Sequence, residues 1–173
     1  MTARVILSVV GSDRPGLTQA LADAVMAAGG NWLESHLSRL GGTYVGSVLV
    51  ALDPARLATL EDRIRAVDAS GLRVSIVPAG DTPDAQGTPL WVELVGQDRP
   101  GIVREVTAVL AELAVNIERF STSAENSAHS GELLFRMNAL VTIPQGKAAD
   151  DIQTALEAIS GEIMVDFTFT PPQ

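Results

Sequence analysis

The chain contains no cysteine. That single absence removes disulfides, thiolate metal sites and cysteine nucleophiles, and it fits a cytoplasmic protein. Lysine occurs once, at Lys147, and histidine twice, at His36 and His129. The two histidines stand far apart with no His-x-x-x-His spacing, so no metal is expected and both read as surface or hydrogen-bonded residues. Ser121, Thr122 and Ser123 crowd together, but no histidine lies at a spacing that would activate a hydroxyl, and a catalytic serine is not expected. No ordinary catalytic constellation assembles, and the chain is expected not to be an enzyme and to need no cofactor.

Positive charge is also scarce. Twelve basic residues against 21 acidic ones leave a net charge of −9, the wrong sign for holding a phosphate backbone, so direct nucleic-acid binding is not expected. The acidic excess sits in the second half. Long apolar runs are missing as well: the six-residue run Val5–Val10 is too short for a signal or membrane segment and meets Asp13 and Arg14 at once, so neither a targeting segment nor a membrane contact is expected. What is present supports a packed core, since 46 % of residues are hydrophobic and 19 % charged.

The informative feature is a repeat. "VGSDRPGL", from Val10 to Leu17, returns as "VGQDRPGI", from Val95 to Ile102, 85 residues later. Between Val10–Asn31 and Val95–Asn116, seven of 22 positions are identical, and six of the seven fall in the loop and first helical turn. Helix cores match only in character. A duplicated loop-borne site leaves that pattern, although turn chemistry alone would also keep Pro and Gly.

Each half carries the same order of elements. Val5–Val10 reads as a strand, Pro15–Ala28 as a helix with Leu17, Leu21, Ala24, Val25 and Ala28 inward, and Asn31–Leu40 as a strand. Gly41-Gly42 makes a hairpin to Tyr44–Leu52; a helix follows from Asp53-Pro54 with Leu57, Leu60, Ile64 and Val67 on one face; Leu72–Val77 closes the unit. After the Pro- and Gly-rich stretch Pro78–Pro89 the pattern restarts, with a strand at Leu90–Val95, a helix over Pro100–Leu113, a strand from Val115 to about Thr122, and the polar loop Ser123–Glu132. A strand over Leu133–Ile143, a helix over Ala148–Ile159 and a last strand from Glu162 complete it. The fold class is α+β, with two ferredoxin-like βαββαβ units whose helices cover one face of a four-stranded antiparallel sheet. Domains are expected at 1–78 and 90–173 with a linker at 79–89. Both helices lie on one side, so the other sheet face, with Ile6, Val10 and Leu49, is expected to need cover. Docking of the halves, or pairing of two chains as a homodimer, would supply it and help units of about 80 residues, which bury only a modest share of their surface. Trp32 and Trp91 read as packing residues.

The repeated loop has the chemistry of a small-ligand site. A helix amino terminus offers unpaired N–H groups and partial positive charge to a carboxylate, and Gly16 or Gly101 lets a ligand reach that backbone. Asp13 or Asp98 can cap the helix or accept a ligand ammonium. Asn31 and Asn116 open the strand after the helix, where Asn suits a tight turn and can also face a loop of a neighbouring unit.

The combination of "DRPGL" after a first strand, "GGNW" after the helix and βαββαβ order, repeated as "DRPGI" and "AVNI", resembles the ACT-domain family of amino-acid-binding regulatory modules from about Arg4 to Phe169. The tandem arrangement, with no catalytic or helix-turn-helix domain attached, is similar to the glycine cleavage system transcriptional repressor family. The resemblance implies a small amino acid ligand and a transcription-factor partner through which the protein acts. It implies side-chain contacts from Asp13, Asn31, Asp98 and Asn116, within loops made of Asp13, Arg14, Pro15, Gly16 and Leu17 and of Asp98, Arg99, Pro100, Gly101 and Ile102. Where some members carry a ligand-contacting histidine, this chain has Gly11 and Gly96, which would leave more room. Two alternatives stay open: a regulatory subunit of a metabolic enzyme, and an interaction module without a ligand.

Overall fold

The computed structural model describes residues 2–68, 71–80, 87–126 and 131–168, and the chain divides into two compact units, Met1–Thr82 and Pro83–Gln173. The first unit runs β1 (Ala3–Ser12), α1 (Leu17–Ala27), β2 (Asn31–Leu40), β3 (Thr43–Leu52), α2 (Leu57–Asp68) and β4 (Leu72–Pro78). The second repeats it as β5 (Thr88–Gln97), α3 (Ile102–Glu112), β6 (Asn116–Asn126), β7 (Leu133–Ile143), α4 (Ala149–Glu157) and β8 (Met164–Thr168). Both sheets are antiparallel, in the orders β2-β3-β1-β4 and β6-β7-β5-β8. Each unit is therefore a ferredoxin-like split βαβ.

Strand alternation decides which face the helices cover. Val5, Leu7 and Val9 of β1 and Val48, Val50 and Leu52 of β3 are buried in one cluster with Leu17, Leu21, Ala24 and Val25 of α1 and Leu60, Ile64 and Val67 of α2. Ile6 and Leu49, pointing the other way, are half-buried, and Val10 is 50 % exposed. The second unit has its own core, with Val92 and Leu94 of β5, Met137, Ala139 and Val141 of β7, Val106 and Leu110 of α3 and Ile152 and Leu156 of α4. Trp32 packs at the margin of the first core. Leu133, at the start of β7, is 43 % exposed.

A β-bulge interrupts β2 between Trp32 and Glu34, and the same irregularity recurs in β6 between Ile117 and Arg119. The extra residue is Leu33 in one strand and Glu118 in the other. Positions 32 and 34 lie 85 residues before 117 and 119, so the duplication carried a backbone irregularity as well as a loop.

Several boundaries differ from the sequence reading. The helices start at Leu17 and Ile102, not at Pro15 and Pro100, because Gly16 and Gly101 take left-handed φ values of 90° and 92° that no helix can include. Strand β6 continues to Asn126, into the expected polar loop, because it pairs with β7 as far as Leu133; residues 127–130 of that loop, His129 among them, lie outside the described residues. Strand β5 begins at Thr88, ahead of Leu90. The space attributed to Gly11 is filled: a Cβ there would come within 2.6 Å of the Gly71 carbonyl oxygen, since β4 begins against it.

Candidate functional site

Loop 13–16 leaves the end of β1 and turns into α1. Its left-handed Gly16 breaks the strand direction so that the first-turn N–H groups of α1 open toward solvent, and no side chain caps them. The Asp cap considered from the sequence is absent at both helices. Asp13 instead pairs with Arg39, its Oδ2 lying 3.1 Å from the arginine Nε. Nothing lies within 4 Å of a Cβ built on Gly16, so the backbone there is open to a ligand.

An open pocket of about 580 Å³ sits over this loop, lined by Asp13, Arg14, Pro15, Gly16, Leu17, Thr18, Gln19 and Tyr44. Leu17 is buried and forms its floor. Thr18 Oγ1 and the Tyr44 hydroxyl are hydrogen-bonded at 2.6 Å. Tyr44 reaches the loop because the Gly41-Gly42 hairpin returns the chain beside the end of β1, where Tyr44 is paired with Gly11 and Arg39 with Tyr44. The pocket thus offers hydroxyl groups, a carboxylate, a guanidinium and free N–H groups in one place. Such a set is chemically complementary to both ends of a small zwitterion.

In the second unit Asp98, Arg99, Pro100, Gly101 and Ile102 reproduce the loop but not its surroundings. Arg99 forms a two-pronged pair with Glu105, at 2.9 Å from Nη1 to Oε1 and 2.5 Å from Nη2 to Oε2. Hydrogen bonding from Arg99 holds the Glu105 carboxyl below its ordinary pKa, against a smaller opposing effect of desolvation, and the same bond raises Arg99. Asp98 has no cation beside it among the described residues. Arg39 is replaced at the matching register position by Ala124, and Tyr44 by the buried Phe135.

Asn31 and Asn116 do not join these loops within their own units. Asn31 is paired with Ala51, and Ala51 with Arg4, at the far end of β1 from Asp13. The separation is nearly the length of a ten-residue strand, roughly 30 Å. Both asparagines are exposed, and Asn116 Nδ2 donates to Glu118 Oε1 at 2.5 Å. Sequence reasoning missed Thr18, Arg39, Tyr44 and Glu105; the hairpin glycines, which bring residues 39 and 44 back to the loop, were the available signal. Elsewhere His36 Nε2 lies 3.1 Å from Glu34 Oε1, and no metal-holding cluster occurs among the described residues. No helix among them is long and apolar enough to cross a membrane.

Comparison with known proteins bears on the family and the fold. Sequence profiles of the ACT domain match residues 3–76 and 91–160. A solved protein of unknown role from Galdieria sulphuraria is 28 % identical, with a TM-score of 0.82 over 96 % of this chain and 98 % of its own. A solved protein described as a proposed glycine cleavage system transcriptional repressor is 17 % identical, with a TM-score of 0.72 over 97 % of this chain and 98 % of its own. No curated protein matches the sequence.

Proposed function

This chain belongs to the ACT-domain family, with two such domains in tandem, and on that premise we propose that it is a non-enzymatic regulator that senses a small amino acid. The observation that carries the reading is the pocket over Asp13–Tyr44, where an open helix terminus, the Arg14 guanidinium and the Asp13 carboxylate converge. A carboxylate suits Arg14 and the N–H groups of α1, and an ammonium suits Asp13 and the two hydroxyls. Asn31 and Asn116 contribute only where a neighbouring unit brings them to a loop.

The finer proposal is glycine as the ligand and a transcription factor as the partner, in the cytoplasm. It follows the resemblance of the repeated loops, and the 17 % identical solved protein described as a proposed glycine cleavage system repressor agrees with it, although that likeness itself establishes the fold alone. Signalling would work by differential affinity: the amino acid stabilises one arrangement of the protein, and the partner prefers one arrangement over the other.

Thermal unfolding of the purified chain against each of the twenty amino acids at millimolar concentration tests the reading. A ligand that binds only the folded state raises the midpoint. The expected result is a rise confined to glycine or another small amino acid and diminished in Asp13→Ala. No rise with any of the twenty would overturn it.

A further inference from the structure

The two loops have the same Asp-Arg-Pro-Gly sequence and the same left-handed glycine, yet their arginines are in opposite states. Arg14 is exposed and has no hydrogen-bond or ion-pair partner among the described residues. Arg99 has both prongs of its guanidinium on Glu105. We propose that the second loop is closed by Glu105, whose carboxylate occupies on Arg99 the place that a ligand carboxylate takes on Arg14, so that each chain binds one amino acid, at the first loop. The proposal rests on the amino-acid-binding reading above and adds to it which loop is competent and why.

Four differences carry it. First, the residue 85 positions before Glu105 is Ala20, so the first loop has no built-in carboxylate. Second, Glu105 Oε1 lies 3.9 Å from a Cβ built on Gly101, whereas Gly16 has nothing within 4 Å; the carboxylate covers the backbone that a ligand would approach. Third, the hydroxyl pair is lost, because Val103 stands where Thr18 does in the repeat and Phe135 takes the register position of Tyr44. Fourth, the charges differ. Around the first loop Arg14 and Arg39 face Asp13 alone, leaving one uncompensated cation. Around the second, Arg99 and Arg104 both act on Glu105, and with the loop carboxylate of Asp98 counted the two cations are balanced by two carboxylates among the described residues.

Competition explains why the closure holds. A carboxylate tethered a few residues away has an effective concentration on the order of millimolar or above. It also matches the planar fork of arginine with two parallel bonds. A free amino acid at millimolar concentration must displace it and then finds apolar walls. At Arg14 the same amino acid displaces only water.

The test is a titration of the full-length, uniformly 15N-labelled chain with glycine, and then with each other amino acid of the panel, read by amide chemical shifts. In the unaltered chain, shifts are expected over Asp13–Thr18 and not over Asp98–Ile102, with a calorimetric stoichiometry of one. Arg14→Ala weakens binding about tenfold or more, as loss of a charge-assisted pair does. In Glu105→Ala, and more weakly in Glu105→Gln, the Asp98–Ile102 amides begin to respond. Response of Asp98–Ile102 in the unaltered chain, or a silent second loop in Glu105→Ala beside a responding first loop, overturns the proposal. Exchange of the arginine Nε–H protons gives an arm that needs no amino acid. Slower exchange at Arg99 than at Arg14, lost in Glu105→Ala, supports closure, and equal exchange overturns it. If no amino acid moves either loop, the sensing reading fails, and the exchange measurement still decides the closure.

Discussion

Glu105 gives up its proton more readily than an ordinary glutamate, because only the ionised carboxylate can accept both bonds from Arg99. A carboxyl whose folded pKa is lowered adds stability above its unfolded pKa and loses it as pH falls through the folded value. Denaturant midpoints measured across the acid range for the native chain and Glu105→Gln are expected to differ by a constant amount above about pH 4.3, the ordinary glutamate value. Below it the difference shrinks. The pair is about two-fifths exposed on both sides, so the effect is small and weakens further in salt. Asp13, Arg14, Gly16 and their counterparts were legible as a candidate site because the repeat marks them. Glu105 and Tyr44 were not, since one requires knowing that a helix starts at Ile102 and the other requires the β1–β3 register.

Helix α1 shows both what periodicity reveals and what it conceals. Leu17, Leu21, Ala24, Val25 and Ala28 recur at helical spacing and are all buried, so the inward face was readable from the sequence. Its beginning was not. Proline at a first turn and glycine in a left-handed turn look alike in sequence, and only the backbone angle of Gly16 separates them. Similarly, β6 runs past Thr122 through polar residues because the ladder to β7, not the side chains, holds its last turn of pleat. Leu21 is fully buried between α1 and the sheet. Leu21→Ala is expected to cost about 2–5 kcal/mol in urea unfolding, through lost transfer energy and a cavity.

At the scale of the whole chain, two separate clusters of buried side chains divide the work of folding. Residues 1–80 and 84–173 expressed separately are each expected to melt cooperatively by circular dichroism, the second cut being placed ahead of Thr88 so that β5 stays whole. Units of this size keep only a few kcal/mol of stability, so absence of a transition in either fragment would mean that it depends on the other. Duplicated units bring a shared hazard. β2 and β6 end their sheets, each offers a row of backbone N–H and C=O groups, and Leu33, Leu40 and Phe120 are exposed along them. A straight strand of that kind invites another chain to add to it without end. The bulge repeated at Leu33 and Glu118 breaks the ladder spacing and increases the local twist, so an incoming strand cannot stay in step for its full length. What the duplication copied along with the loop is therefore a guard against fibre growth at the β2 and β6 margins, and a chain whose β2 or β6 had lost its extra residue is expected to aggregate more readily.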